Sequence, residues 1–435
     1  MKNLQIIQTK SLKGEIYVPG DKSISHRAVM IGSLAKGETT VNNFLNSADC
    51  MATVESFRNM GIEIESRQLS ADGRQIIIKG NGLAGLESAN GIIDVGNSGT
   101  TIRLMMGILA GQNFISRITG DESIQRRPMR RVAIPLRAMG ASIEGRLVGD
   151  ELYAPLKITG GNLSPIQYEL PVASAQVKSA ILLAGLFANG ETAVIEKNPS
   201  RDHTERMLSH FGADLSMLGK EIKIRGNRDF RGTEIDIPGD ISSAAFFMIA
   251  AALTPDSELL IHNVGVNATR TGIIEILHRM GAQLEVLNEE ILSEEPRADI
   301  LVKTSKLKGI KITGDIIPRI IDEIPIIALA ATQADGVTEI LGARELRVKE
   351  SDRIATVASE LKKLGAKITE LEDGLVIEGP SVLKGASLKS YGDHRIAMMA
   401  AIAGLVADGE TMIEDTECIE TSFPGFEERV KQFIQ

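Results

Sequence analysis

The sequence predicts an α/β protein of two domains, each holding three copies of one repeat. Three observations carry that reading. First, a helix-ending pattern recurs, an apolar residue, two others, an apolar residue and then glycine. It occurs as Phe57-Arg58-Asn59-Met60-Gly61, Leu136-Arg137-Ala138-Met139-Gly140, Leu208-Ser209-His210-Phe211-Gly212, Leu277-His278-Arg279-Met280-Gly281 and Leu361-Lys362-Lys363-Leu364-Gly365. Glycine past a helix end takes the left-handed conformation without a Cβ penalty. Second, a turn followed by a strand-like run interleaves with it at Gly37-Glu38-Thr39, Gly190-Glu191-Thr192, Asp256-Ser257-Glu258, Gly336-Val337-Thr338 and Gly409-Glu410-Thr411, with a weaker copy at Gly111-Gln112-Asn113. Third, helices apolar on every side alternate with amphipathic ones. Six repeats of about 72 residues fill the 435. Single cores stop growing near ~250–300 residues, so three repeats per domain is the economical division, with a boundary near Ile237-Pro238-Gly239-Asp240.

In chain order, repeat one opens at Pro19-Gly20-Asp21-Lys22-Ser23-Ile24-Ser25-His26-Arg27, and repeat two at Gly96-Asn97-Ser98-Gly99-Thr100-Thr101-Ile102-Arg103. Repeat three opens at Ser174-Ala175-Gln176-Val177-Lys178 and repeat four at Gly239-Asp240-Ile241-Ser242-Ser243. Repeats five and six open at Ile321-Asp322-Glu323-Ile324-Pro325 and Tyr391-Gly392-Asp393-His394-Arg395. Asp, Asn and Ser suit these positions because a short side-chain oxygen accepts from the first free backbone N–H groups of a helix. Residues 244–253 are all apolar and residues 396–407 carry no charge. A helix of that kind is buried all round. Each repeat therefore supplies one interior and one amphipathic helix, separated by β-rich runs such as Ile76-Ile77-Ile78. The last repeat is cut short after Phe423-Pro424-Gly425.

Composition excludes several classes. Net charge is −9, there is no Trp and there are four Tyr, which argues against a nucleic-acid binder and its stacking platform. The longest uncharged window, residues 241–255, is 15 residues, too short for a membrane span of ~20. Met1-Lys2-Asn3-Leu4-Gln5-Ile6-Ile7-Gln8-Thr9-Lys10 has no apolar signal core. Two cysteines, Cys50 and Cys418, make no disulfide framework, so a cytoplasmic setting is expected.

Lys22, Arg27, Arg103, Lys178 and Arg395 stand in or near the first turns of the apolar helices. The helix dipole favours acids there by ~0.3–1 kcal/mol. Several amphipathic helices repeat the anomaly: Arg126-Arg127-Pro128 opens one with Pro at the first helical position, Ser200-Arg201-Asp202-His203-Thr204-Glu205 a second, and the run from Arg347 to Arg353 a third. Any one of these cations reads equally as a solvated or ion-paired residue. As a set on equivalent helix ends they point to an anion, because N–H donors and charge-assisted bonds converge on phosphate or carboxylate. Two such surfaces facing each other would make a cleft for polyanionic ligands.

His26, His203 and His394 read as structural rather than catalytic. Gly80-Asn81-Gly82-Leu83-Ala84-Gly85 matches a dinucleotide fingerprint but lacks the helix that should follow. Gly20-Asp21-Lys22-Ser23 has the wrong spacing for a P-loop, and no Cys/His cluster has zinc spacing, so no metal is expected. Asp322 and Glu323 lie in the stretch 318–331, otherwise apolar but for Arg319, where desolvation tunes a carboxylate toward base chemistry. Glu350 falls between Lys349 and Arg353, one turn from the latter on a helix, a spacing that also describes a surface ion pair.

At these residues the chain resembles the EPSP synthase family (3-phosphoshikimate 1-carboxyvinyltransferases). The segments 20–27, 96–103, Arg127-Pro128-Met129, Ser174-Ala175-Gln176, 347–353, 392–395 and Thr421-Ser422-Phe423-Pro424 occur in the family's order across the whole chain. The resemblance implies a two-domain inside-out α/β barrel with pseudo-threefold symmetry in each domain, built from six βαβαββ-type repeats. Its domains would be 19–238 and 1–18 plus 239–435, with the active site in the interdomain cleft. It implies transfer of the enolpyruvyl group of phosphoenolpyruvate to shikimate 3-phosphate, with no cofactor, no metal and a monomeric enzyme. By the same resemblance Lys22, Ser23, Arg27, Ser174, Ala175, Gln176, Arg201, Asp322 and Lys349 would hold shikimate 3-phosphate. Lys22, Gly99, Arg127, Gln176, Arg353 and Arg395 would meet phosphoenolpyruvate. Asp322 would accept the proton of the attacking 5-hydroxyl, and Glu350 with Lys22 would handle the proton at the methylene carbon. The segment Ser200-Arg201-Asp202-His203-Thr204-Glu205 resembles one bacterial branch. Thr421 and Glu345 stand where the plant and enterobacterial branch has Lys and often Asn.

Two rivals are weighed. The enolpyruvyl transferase acting on UDP-N-acetylglucosamine shares the implied fold but uses a loop cysteine, and the corresponding loop here reads Asp121-Glu122-Ser123-Ile124-Gln125-Arg126. A non-catalytic polyanion-binding scaffold is told apart at Asp322 and Glu350: in an enzyme Asp322→Ala should abolish turnover and leave ligand binding largely intact.

Overall fold

The computed structural model describes residues 2–68 and 74–433. They form two compact units: a first of residues 20–237 with 291–295, and a second of 1–19, 238–290 and 296–435.

The first unit contains the interior helices Lys22–Leu34, Gly99–Ala110 and Ala175–Gly185. The second contains Ile241–Leu253, Ile324–Gln333 and His394–Val406, which pack on one another. Every residue from 241 to 252 is buried. Side-chain caps close five of these six starts: Asp21, Ser98, Ser174, Asp240 and Asp393 accept from the N–H of Ile24, Thr101, Val177, Ser242 and Arg395. Glu323 precedes the remaining helix and instead accepts from the Ser242 hydroxyl. Where the Gly99–Ala110 helix crosses Ala175–Gly185, a Cβ on Gly107 would stand 2.1 Å from the Ala180 carbonyl oxygen, so only glycine permits that approach.

Six sheets flank the helices among the described residues, and five of them share one strand order. In one, Ile92–Asp94 runs parallel to Ile115–Thr119, which pairs antiparallel with Glu151–Thr159, itself antiparallel to Ser142–Val148. The first unit closes on itself through Glu234–Asp236, parallel to Lys36–Phe44 of its first repeat. The second unit is closed by the chain's first strands. Lys13–Tyr17 lies parallel to Glu258–Gly265, and Leu4–Ile7 pairs antiparallel with Glu410–Glu414. The latter supplies a strand that the shortened sixth repeat lacks.

The amphipathic helices Ala48–Arg58, Arg130–Ala138, His203–His210, Gly272–Arg279 and Arg353–Lys363 run into Gly61, Gly140, Gly212, Gly281 and Gly365. All five glycines have φ between +77° and +110°. Each N–H bonds back to the carbonyl three residues earlier.

Four local expectations are corrected. Gly111 is right-handed (φ −86°) and caps its helix against Phe187, so it is not a copy of the other turns. Pro128 does not start a helix: a short helix Glu122–Arg126 ends at Arg127, which is extended as the residue before a proline prefers, and the next helix begins at Arg130. Glu350 is not helical, because Asp352 caps the helix that begins at Arg353 and a 3₁₀ turn, Arg344–Val348, precedes it. The sixth repeat does not stop at Gly425 but adds a short helix, Phe426–Lys431. No helix among the described residues is long and apolar enough to cross a membrane.

Candidate active site

In the first unit, Lys22, Ser23 and Arg27 occupy the opening turns of the Lys22–Leu34 helix. Lys22 forms an ion pair with Asp49, which lies at the start of the neighbouring Ala48–Arg58 helix. The Arg27 guanidinium is buried and donates to neutral oxygens: Nε to Thr204 Oγ1 (2.6 Å), Nη1 to the Ser23 carbonyl (2.9 Å) and Nη2 to Ser179 Oγ (2.9 Å). Burial pulls its pKa down to about 10, with nearby carboxylates opposing and Arg201 adding repulsion. A buried cation held by neutral groups is stabilised by an arriving anion.

A second cluster forms where the Gly99 and Ala175 helices begin. Arg103 Nη1 donates to Gln176 Oε1 (3.0 Å), Gln176 Nε2 to Thr100 Oγ1 (3.4 Å), and Arg103 Nη2 to the Pro128 carbonyl (3.3 Å). A methyl placed on Gly99 would stand 2.7 Å from Arg127 Nη1 and 3.1 Å from Arg103 Nη1. Two guanidiniums thus converge on a helix N-terminus, a geometry suited to phosphate or carboxylate. Ser174 caps the helix that Ala175 starts, and all three residues Ser174, Ala175 and Gln176 are half-buried. Arg201 lies in the loop leading into His203–His210.

Lys178 departs from the expected set. Its side chain is 1% exposed and contacts Glu196 Oε2 (2.7 Å) and Glu205 Oε1 (2.6 Å), so its charge is already matched inside the fold. The histidines are held by neighbours. His26 Nδ1 is 2.7 Å from Thr53 Oγ1, and burial, then Lys22 and Arg27, keep its pKa well below the usual imidazole range. His203 Nδ1 is 2.7 Å from Glu295 Oε1.

In the second unit, Arg353 is the centre, 1% exposed. Its Nε meets Asp393 Oδ2 (2.8 Å), Nη2 meets Glu350 Oε2 (2.6 Å), and Nη1 meets Asp322 Oδ1 (3.3 Å). Burial works against this charge, but Asp393 and Glu350 outweigh it and hold the pKa above the ordinary arginine value. Lys349 Nζ stands 3.9 Å from the same Asp322 oxygen. Asp322 and Glu350 therefore share one guanidinium, and the carboxylates expected to move protons are adjacent. Arg395 is buried at the start of its helix, its N–H bonded to Asp393 Oδ1 (2.9 Å), while its Nε makes no hydrogen bond. Thr421 donates to the Cys418 carbonyl (2.7 Å) and Glu345 is exposed in the 3₁₀ turn. Among the described residues no group of three His, Cys, Asp or Glu side chains is placed to hold a metal.

Two supporting residues were given no part in the site by the sequence reading. Asp393 stands there only among the helix caps, and Asp49 is not singled out at all. Their second function, pairing Lys22 and Arg353, depends on a neighbouring helix that no local spacing reports.

The fold is that of an enolpyruvyl transferase. The enolpyruvyl transferase NikO from Streptomyces tendae matches with a TM-score of 0.78 over 99% of this chain and 97% of its own, at 18% identity. EPSP synthase from Acinetobacter baumannii matches with a TM-score of 0.88 over 100% and 98%, at 47% identity. The family model for EPSP synthase (3-phosphoshikimate 1-carboxyvinyltransferase) matches residues 6–430. The 3-phosphoshikimate 1-carboxyvinyltransferase of Brevibacillus brevis is 56% identical over 432 residues, 99% of this chain and 100% of that protein. That of Bacillus cereus is 55% identical over 426 residues, 98% and 97%. The chain belongs to the EPSP synthase family.

Proposed function

We infer that the chain transfers the enolpyruvyl group of phosphoenolpyruvate to the 5-hydroxyl of shikimate 3-phosphate, releasing phosphate. The observation that carries this is the family match over residues 6–430. Lys22, Ser23, Arg27, Ser174, Ala175, Gln176, Arg201, Asp322 and Lys349 hold shikimate 3-phosphate. Arg127, Arg353 and Arg395 bind phosphoenolpyruvate with Lys22, Gly99 and Gln176. Asp322 takes the proton of the 5-hydroxyl as its oxygen attacks C2 of phosphoenolpyruvate. Glu350 and Lys22 deliver a proton to the methylene carbon. In the resulting tetrahedral intermediate the methyl group loses a proton as the C–O bond to phosphate breaks, which restores the double bond. The site must exclude water while that intermediate exists. The protein acts as a cytoplasmic monomer.

Phosphate release with both substrates together, and its loss in Lys22→Ala, tests the assignment. Release with UDP-N-acetylglucosamine instead of shikimate 3-phosphate would move it to the rival transferase. A thiol reagent separates the same pair. Burial pushes Cys50 up to about 12 and Cys418 up to about 11. At pH 8 the Cys50 thiolate is on the order of one part in 10⁴, so a maleimide is expected to leave activity intact. Rapid inactivation would restore a cysteine mechanism. Gly99→Ala pushes its methyl against the Arg127 guanidinium. We expect the KM for phosphoenolpyruvate to rise roughly 5–30-fold, the equivalent of about 1–2 kcal/mol, with the melting temperature little changed. An unchanged KM would place phosphoenolpyruvate elsewhere.

A further inference from the structure

We propose that Lys178, with Glu196 and Glu205, is a positioning clamp for the residues that hold shikimate 3-phosphate, an inference that rests on the functional reading above. Lys178 carries a full charge at a helix start where the dipole disfavours it, and it is almost wholly buried. Such a group is retained at a cost in desolvation that an apolar side chain would avoid. Its contacts show what the charge does. The ammonium binds Glu205 of the His203–His210 helix, Glu196 at the end of the Glu191–Ile195 strand, and the Ser200 carbonyl (3.3 Å). The Ser200 hydroxyl donates to the other Glu196 oxygen. Three elements are thereby fastened to the helix whose start bears Ser174, Ala175 and Gln176.

The adjacent residue on each helix, Ser179 after Lys178 and Thr204 before Glu205, makes the second rung. Ser179 Oγ and Thr204 Oγ1 are 2.6 Å apart, and these two hydroxyls are the ones that receive Arg27 Nη2 and Nε. The Lys178–Glu205 pair therefore sets the spacing of the two oxygens on which Arg27 rests. The Ser200 contact anchors the residue before Arg201. Neutral hydroxyls leave the Arg27 charge available to a ligand, but two weak partners orient a guanidinium only if something stronger fixes them. The buried ion pair is that element.

The test compares wild type, Lys178→Met and Glu205→Gln in steady-state kinetics, with calorimetric binding of shikimate 3-phosphate alone. We expect the KM and Kd for shikimate 3-phosphate to rise about tenfold or more, with kcat and the KM for phosphoenolpyruvate within about twofold. Glu205→Gln keeps the shape and one acceptor, so it decides the matter if Lys178→Met does not fold. Lower melting temperature with both KM values unmoved, or equal rises in both KM values, would overturn the clamp while wild-type phosphate release upholds the reaction. A wild type that releases no phosphate overturns the functional reading and the clamp with it.

Discussion

Asp322→Asn is expected to lower kcat by about 10²–10⁴-fold while both substrates still bind, the range for loss of a general base. Asparagine preserves the volume and an acceptor oxygen but cannot take the proton of the 5-hydroxyl. Asp322 sits between Arg353 (3.3 Å) and Lys349 (3.9 Å), so removing its charge unbalances those cations only modestly. Asp393 and Glu350 remain on Arg353, and the melting temperature should barely move. The measurement is single-turnover phosphate release with binding checked by calorimetry. A kcat within tenfold of wild type would reassign the base, with Glu350 as the next candidate on the same guanidinium.

Arg353→Met is expected to cause the largest combined loss. Asp393 is fully buried, and Asp322 and Glu350 lie on the same cation. Without it three carboxylates share a poorly hydrated space. Removing one partner of a buried ion pair costs about 3–5 kcal/mol because the remaining charge is uncompensated. Urea unfolding should show a lower midpoint, and turnover should vanish with the proposed phosphoenolpyruvate contact. Arg353→Lys keeps the charge but not the fork that reaches three acids at once, so it should recover part of the stability and little of the activity. A stable, inactive Arg353→Met would mean that the arginine serves the ligand alone.

The repeat was legible because its physics is local. A helix that ends on a left-handed residue writes glycine at a fixed phase, and Gly61, Gly140, Gly212, Gly281 and Gly365 all have that conformation. An interior helix writes an unbroken apolar run, as at residues 244–253. The site's cations were legible as violations of the helix-dipole rule. What failed to show was whatever depends on pairing at a distance. Leu4 opposes Ile413 in a strand pair that leaves no periodicity behind. Lys178 has the same local spacing as the ligand-type cations, and only its buried glutamates separate it from them. The position of Glu350 turned on whether Asp352 caps a helix, a choice between neighbouring candidates that spacing leaves open. The assignment of substrates came from resemblance, since two converging guanidiniums specify an anion and not which one.

The pairing of Leu4–Ile7 with Glu410–Glu414 has a consequence for synthesis on the ribosome. The Leu4–Ile7 strand is made long before the strand it pairs with. At ~5–20 residues per second that interval is roughly 20–80 s. Residues 20–237 meanwhile acquire their own closing strand, Glu234–Asp236, and need from later translation only the five residues 291–295. For all that time Leu4-Gln5-Ile6-Ile7 is an apolar edge with no mate, the kind of segment that recruits other nascent chains. Lys2, Lys10 and Lys13 flank it as gatekeeping charges. Lys2 and Lys13 end in ion pairs with Glu427 and Asp256, the second an exposed contact of small value to the finished protein. Flanking charges of this kind discourage an unpaired strand from joining the wrong partner.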